Sequence, residues 1–188
     1  GGTHGDEPIG VVALKQLSET RSDFDWIIGN PRALQQQTRY TEKDLNRSAP
    51  GNTASLIYEE KRADEVIQKS QNYQYTVDIH GAKNDMGICI LITNPTKENF
   101  ALAKQFNIQN IVIWPSITPE MQYPMSEFFP CGFEIECGNK SDQQTIGQLT
   151  KILSDFLDGK IENTQQKNIY RMIGPLNKNE IQKGILYI

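Results

Sequence analysis

The sequence predicts an α/β protein: a three-layer α/β/α sandwich on a mixed, largely parallel sheet, with a short β-rich tail at its C-terminal end. Segments with helical periodicity alternate along the chain with short apolar segments, and this alternation is typical of α/β folds. The segment 87–93 is apolar almost throughout, as expected for a strand that is buried on both faces. The 188 residues are enough for one domain of ordinary size.

Four segments have the periodicity of amphipathic helices. Thr53 or Ser55 is the candidate cap of the second helix, and Leu56 begins its apolar stripe. Ser141 or Asp142 is the candidate cap of the last one. The predicted helices are 7–18, 53–70, 96–106 and 141–157.

Short apolar runs that end at Gly, Pro or a polar residue predict the strands. Two longer segments, 33–52 and 115–130, are rich in polar residues or proline and are predicted to be irregular. The chain is expected to divide into a catalytic domain, 1–160, and the start of a small β-type C-terminal domain, 161–188. The predicted strands are 25–30, 75–80, 87–93, 110–114, 133–137, 168–173 and 184–188.

Composition excludes several classes of partner. The formal net charge is −4, which argues against nucleic acid or an anionic membrane as the main partner, because both select basic surfaces. No apolar stretch approaches the ~20 residues that span a bilayer. The three cysteines are an odd number without CxxC spacing, so a disulfide scaffold is not expected. No signal peptide is visible, although the chain opens without Met, and we expect a cytoplasmic location.

The chain has two histidines, and each lies beside a glycine at the predicted end of a strand. Such positions gather at the carboxyl edge of a parallel sheet, where α/β proteins place their sites. His4 and Glu7 are three residues apart in a turn, and His80 ends the strand 75–80. Two histidines and one glutamate form a typical open zinc site. The alternative is that all three are ordinary polar turn residues.

A second group of residues suggests an anionic substrate. Arg32 directly follows a predicted strand, and Asn46 and Arg47 lie in the segment 33–52. Arginine binds carboxylates with two parallel hydrogen bonds, and asparagine fixes orientation. The alternative is a set of ordinary surface residues, with Asp44 and Arg47 forming a weak local ion pair.

Glu134 and Glu136 lie two residues apart in the strand 133–137 and therefore share one face of the sheet. A carboxylate inside an apolar strand is costly unless it is used or paired. One of the two could therefore be the general base of a hydrolase, with its pKa raised toward neutrality by partial burial. The alternative is an edge strand with a solvated acidic face.

Five segments in order resemble the aspartoacylase and succinylglutamate desuccinylase family, which belongs with the zinc carboxypeptidases. Each segment alone is weakly specific, but their order and spacing together are specific, and the resemblance covers residues 1 to about 140. It implies the zinc-carboxypeptidase type of α/β/α fold. The segments are GGTHGDE (1–7), NPRAL (30–34), RY with DLNR (39–40 and 44–47), DIHG (78–81) and IECG (135–138).

The resemblance implies a zinc-dependent amidohydrolase that removes the acyl group from a small anionic N-acyl amino acid. One Zn²⁺ per chain would be held by His4, Glu7 and His80. Two other functions stay open: a metallocarboxypeptidase acting on short peptides, and a non-catalytic binding domain on the same fold. An oligomeric state is also left open.

The resemblance also assigns the remaining site residues. Arg32 would polarise the scissile carbonyl and stabilise its oxyanion, while Asn46 and Arg47 would bind the substrate carboxylate. Glu136 would activate water and return the proton to the leaving amine. The Glu-x-Gly pattern favours Glu136 as this base, whereas the Pro-x-Gly-x-Glu spacing favours Glu134.

Overall fold

A computed structural model describes residues 1–114, 116, 122–161 and 166–172. Two short 3₁₀ helices, Leu45–Arg47 and Met125–Phe128, accompany the regular elements. The helices are α1 (Ile9–Ser18), α2 (Pro31–Gln36), α3 (Tyr58–Ser70), α4 (Lys97–Ala103) and α5 (Gln143–Leu157). The strands are β1 (Thr76–Gly81), β2 (Ile88–Ile92), β3 (Asn110–Ile113), β4 (Gly132–Cys137) and β5 (Asn168–Arg171).

The five strands form one sheet in the order β1-β4-β2-β3-β5. β1 pairs with β4 in parallel, as β2 does with β3 and β3 with β5. The β2–β4 pair is antiparallel. The sheet is therefore mixed and largely parallel, which confirms the predicted fold class.

The two faces of the sheet differ in chemistry because side chains alternate along each strand. One face carries Ile79, Ile90 and Ile135, which pack with α1, α4 and α5 in the main apolar core. The other face carries polar groups from β1 and β4. A second apolar cluster covers part of this side and joins α3 to the two 3₁₀ helices. The helices thus lie on both sides of the sheet, and the polar face is where a site can form.

The second helix is shorter than predicted, and its predicted cap is wrong. It begins at Tyr58, because the Ser55 hydroxyl accepts a hydrogen bond from the Ile57 N–H and donates one to Glu60, which fixes a turn before the helix. Leu56 is 94% exposed and belongs to no apolar stripe. The last predicted helix is capped by Asp142, whose side chain accepts from the Thr145 N–H.

Residues 25–30 were expected to form a strand, and this prediction is wrong. The segment is extended, and three hydrogen bonds join it to the first two residues, from Gly1 N to Ile27 O, from Gly29 N to Gly1 O and from Asn30 N to Gly2 O, but they do not build a regular strand ladder. The predicted loop 33–52 also contains regular structure. Asn30 caps α2 by accepting from the Ala33 N–H, so a helix forms where the composition suggested a loop.

The tail strand extends the main sheet. Asn168–Arg171 pairs with β3, in agreement with part of the predicted strand 168–173. The other predicted tail strand, 184–188, and residues 115 and 117–121 of the predicted irregular segment lie outside the described residues. A separate C-terminal domain beginning near residue 161 stays a prediction.

Two expectations from composition can be compared with the structure. The three cysteines, Cys89, Cys131 and Cys137, are free thiols. Among the described residues, no helix has both the length and the apolar character needed to cross a membrane.

Candidate metal centre

Three side chains that are far apart in sequence meet on the polar face of the sheet. One ligand atom from each of His4, Glu7 and His80 lies within 4.8 Å of the others. His4 Nδ1 lies 3.0 Å from Glu7 Oε1, and His80 Nδ1 lies 3.3 Å from both His4 Nδ1 and Glu7 Oε2. All three residues are buried. The structure therefore brings together the three residues that the sequence predicts as metal ligands.

A tight turn and the end of a strand position these groups. The Glu7 N–H donates to the His4 carbonyl, which puts both side chains of the turn on one side. A Cβ on Gly5 would lie 2.0 Å from the carbonyl carbon of Ala33, so only glycine lets the turn pack against α2. The Gly81 N–H, at the end of β1, donates to Glu7 Oε2 over 3.1 Å and fixes the carboxylate beside His80.

Each imidazole has its second nitrogen held by a carboxylate. His4 Nε2 lies 3.0 Å from Asp44 Oδ1, and His80 Nε2 lies 3.0 Å from Asp78 Oδ2. Asp78 is fixed in turn by the Thr3 hydroxyl, which donates to it. Carboxylates in this position fix the tautomer and orientation of a metal-binding histidine and raise its basicity. They leave both Nδ1 atoms facing Glu7.

The electrostatics of the cluster favour positive charge. Burial opposes protonation of His80, but the charges of Asp78 and Glu134 and the hydrogen bonds to Asp78 and Glu7 together outweigh burial and raise the pKa of His80 well above its usual value. Burial also lowers the pKa of His4, but the hydrogen bonds to Asp44 and Glu7 together outweigh burial, so the pKa of His4 is raised. Burial would raise the pKa of Glu7, yet the two histidines hold it well below its usual range. The pKa values of Asp44 and Asp78 are lowered as well, so all three carboxylates are ionised at neutral pH.

The donor set fits a divalent cation such as Zn²⁺. Two imidazole nitrogens and one carboxylate oxygen converge, as in zinc sites that keep a position open for chemistry. When both histidines are neutral, the three negative charges of Glu7, Asp44 and Asp78 exceed the single positive charge of the adjacent Arg39 by two. A divalent cation would balance this excess.

Arg39 contacts two carboxylates of this centre, Glu7 and Asp44. Its Nη1 donates to Glu7 Oε1 over 3.3 Å, and its Nη2 lies 3.1 Å from Asp44 Oδ2. Arg32, to which the sequence analysis gave a catalytic role, lies elsewhere: its guanidinium stacks 4.0 Å from the centroid of the Tyr58 ring. In the described part of the chain no hydrogen bond or ion pair joins Arg32 to the three candidate ligands.

Glu136 lies next to the cluster, one strand away. Glu136 lies in β4, where it is the register partner of His80 in β1 and of Cys89 in β2. Burial, together with the negative charges of Glu7 and Glu134, raises the pKa of Glu136 to about 7, although the two histidines oppose the increase. Its carboxylate makes no hydrogen bond within the described residues. A group of this kind can exchange protons near neutral pH.

Glu134 has a different environment, although it shares the same face. Its Oε1 accepts hydrogen bonds from Asn46 Nδ2 at 3.2 Å and from Ser126 Oγ at 2.9 Å. The Asn46 Oδ1 accepts from the Met125 N–H. Arg47 directs Nη1 to the Asn46 carbonyl. Asn46 and Arg47 thus lie on a 3₁₀ helix that adjoins the cluster through Asp44, its N-cap.

Sequence reasoning missed three residues of this centre. Asp78 had a local signal, since it precedes His80 by two residues and must share its face of the strand. For Asp44 the sequence suggests only a local ion pair with Arg47, and Arg39 lies in the RY segment of the family resemblance, which implies no role for it. Their positions depend on how the segment 38–48 folds over the sheet, and local patterns do not show this.

Comparison with solved structures gives the same fold. Murine aminoacylase 3 superposes with a TM-score of 0.72 at 22% identity, over 95% of this chain and 72% of that one. The succinylglutamate desuccinylase/aspartoacylase of Rhodobacter sphaeroides superposes with a TM-score of 0.73 at 17% identity, over 92% and 61%. At these identities the likeness concerns the fold alone.

Sequence comparison is more specific. Probable aspartoacylases from two strains of Prochlorococcus marinus are 29% and 31% identical to this chain, over 87% and 82% of its length. The chain spans 62% and 59% of those relatives. The family model for the succinylglutamate desuccinylase/aspartoacylase catalytic domain matches residues 1–159. The resemblance predicted from the five segments is thereby confirmed, and the chain belongs to the succinylglutamate desuccinylase/aspartoacylase family.

Proposed function

We propose that the protein is a zinc-dependent amidohydrolase that removes the acyl group from an N-acyl amino acid. The observation that carries the proposal is the convergence of His4, Glu7 and His80 one strand away from the half-buried carboxyl of Glu136. Zn²⁺ held by the three ligands would act as a Lewis acid on the amide carbonyl and make water more acidic. The family membership and the names of the relatives support this reaction class.

Glu136 is the proposed general base. It takes a proton from the attacking water and gives it to the nitrogen of the leaving amine, so that the amide and water become a carboxylate and an amine. Glu136 suits this better than Glu134, because the Glu134 carboxylate is already engaged by Asn46 and Ser126. The base must be ionised to act, so the rate is expected to fall as the pH falls below the pKa of Glu136.

Arg39 is the proposed donor to the developing oxyanion. Its guanidinium lies beside Glu7, whereas that of Arg32 stacks on Tyr58. A guanidinium beside the metal ligands can stabilise negative charge that appears on the carbonyl oxygen. Arg32, the residue favoured by the sequence analysis, is the alternative. Asn46 and Arg47 are proposed to bind the substrate carboxylate, since both are donors next to the cluster.

The test is a panel of acetyl, succinyl and longer N-acyl amino acids, assayed with zinc for the released amine. We expect turnover by the wild-type protein, none by His80→Ala, and a loss of kcat in Glu136→Gln with its zinc retained. A panel without turnover by the zinc-loaded wild type refutes the proposal. Turnover of peptides that stops when their C-terminus is blocked would indicate a carboxypeptidase instead.

Arg32 and Arg39 form a matched pair of variants. Arg39→Ala is expected to lower kcat by roughly 10²–10³, the usual cost of one oxyanion donor. Arg32→Ala is expected to leave kcat within about threefold of the wild type. The opposite result would return the role to Arg32.

A further inference from the structure

Glu134 is a buried carboxylate that the proposed chemistry does not use. It is only 5% exposed, and a buried charge is costly unless other groups compensate it. Two hydrogen bonds contribute to this compensation, because Ser126 Oγ and Asn46 Nδ2 both donate to the same oxygen, Oε1. Their positions indicate what the carboxylate does.

The hydrogen bonds continue beyond Glu134 on both sides. The Thr93 hydroxyl lies 2.9 Å from Ser126 Oγ, and Asn46 Oδ1 accepts from the Met125 N–H at 2.8 Å. We call these five residues the Glu134 cluster. All five are buried. The Glu134 cluster links β4 and the segment after β2 to both 3₁₀ helices. The two 3₁₀ helices also meet in the small apolar cluster that includes Leu45 and Met125.

The cluster also fixes the orientation of the Asn46 amide. A backbone N–H can only donate, so the oxygen of Asn46 must face Met125. A carboxylate can only accept, so the nitrogen must face Glu134. These two hydrogen bonds use one of the two N–H groups of Asn46, so the other can donate to a ligand that comes within reach of it. A donor at this place suits an acceptor such as the substrate carboxylate.

We propose that Glu134 is a positioning residue, which orients Asn46 and anchors the two 3₁₀ helices beside the substrate site. This inference rests on the proposed function only for the ligand that Asn46 binds, because the anchoring can be tested without any substrate. It predicts that Glu134 affects substrate binding and that Glu136 affects the chemical step.

The experiment compares Glu134→Leu, Glu134→Gln and Glu136→Gln in the full chain. Leucine removes the acceptor and leaves two buried donors unpaired, whereas glutamine keeps an oxygen that can accept from both. Ser126→Ala removes a single hydrogen bond, and it serves if the leucine variant fails to fold. Zinc content, KM, kcat and amide hydrogen exchange of peptides covering 44–48 and 122–128 are measured for each variant.

We expect Glu134→Leu to raise KM about tenfold or more, as the loss of a buried hydrogen-bond acceptor implies. Exchange should become faster in both peptides while zinc content is kept. Ser126→Ala should show the same changes to a smaller degree. Glu134→Gln should recover most of the loss, with KM within about threefold of the wild type, whereas Glu136→Gln should lose kcat with unchanged exchange.

Two results would overturn the proposal. The first is a Glu134→Gln variant that keeps zinc but loses kcat as Glu136→Gln does, which would place Glu134 in the chemistry. The second is a folded Glu134→Leu or Ser126→Ala variant with wild-type exchange in both peptides. If the zinc-loaded wild type turns over no substrate, the proposed function fails, and the exchange comparison still decides whether Glu134 is an anchor.

Discussion

Replacing Asp78 with asparagine tests whether the carboxylates behind the histidines belong to a metal centre. Asp78 Oδ2 lies 3.0 Å from His80 Nε2 and also accepts from Thr3. Asparagine keeps the shape and one acceptor oxygen but loses the charge that makes His80 more basic. Loss of such an outer carboxylate costs about 10–100-fold in metal affinity, which is about 1.4–2.7 kcal/mol at 1.36 kcal/mol per tenfold change.

A second effect of the same substitution acts in the opposite direction. Asp78 raises the pKa of His80, so near neutral pH Zn²⁺ must displace a proton from the ring. In Asp78→Asn this proton is lost more easily, which offsets part of the lost affinity at low pH. At high pH the proton has gone in both proteins. The weakening should therefore be larger at pH 9 than at pH 6.

The measurement is the zinc dissociation constant at both pH values, from competition with a chromophoric chelator. Asp85→Asn is the matched control, because Asp85 is exposed and lies in the segment that follows the same strand. An affinity of Asp78→Asn within about twofold of the wild type at pH 9, in a protein that melts normally, would refute the reasoning. A weakening that is equal at pH 6 and pH 9 would refute the account of proton competition.

Three further predictions follow from the same geometry. Zinc binding at pH 7 should release protons from His4 and His80, because the pKa values of both are raised. Calorimetry in buffers of different ionisation enthalpy measures the number of protons released. A heat of zinc binding that does not depend on the buffer would contradict this prediction. After a chelator has removed the metal, protonated His80 stabilises the folded protein below pH ~6.5, and this contribution is lost as the pH rises through the raised pKa of His80. The metal-free protein should therefore melt at a lower temperature at pH 9 than at pH 6. Gly5→Ala forces a Cβ to 2.0 Å from Ala33 and should cost about 1–3 kcal/mol, or about 2–12 °C in melting temperature. Its control, Gly147→Ala in α5, has no neighbour within 4 Å and should be neutral or slightly stabilising; equal melting of the two variants would contradict the packing argument.

The sequence was informative wherever a residue's neighbours along the chain decide its conformation. Strand β2 and helix α5 follow from apolar periodicity and from a capping residue, and both occur close to where they were predicted. The same local rule explains the errors. Residues 25–30 have the composition of a strand, but the three hydrogen bonds that join this segment to residues 1 and 2 do not build a regular strand ladder.

For the candidate site, too, some residues could be predicted from local sequence and others depend on the pairing of the strands. His4 and Glu7 are three residues apart in a turn, and His80 follows Asp78 on one face of a strand, so the sequence could propose these groups from spacing and from the family's segments. That the sheet places β4 beside β1 was not visible. This pairing puts Glu136 opposite His80 and Glu134 opposite Asp78. Burial then raises the pKa of Glu136, whereas Glu134 is engaged by hydrogen bonds from Asn46 and Ser126.

By itself, then, the sequence determined the fold class, the family and the three residues that converge in the candidate metal centre, because these depend on local periodicity and on ordered short segments. Only the tertiary structure decided that Asp44 and Asp78 hold the two imidazoles, and that Arg39 rather than Arg32 contacts Glu7. The physical reason is that hydrogen bonds and charge interactions act over a few ångströms in space. The residues that make them are brought together by strand order and by the path of the segment 38–48, which no local pattern specifies.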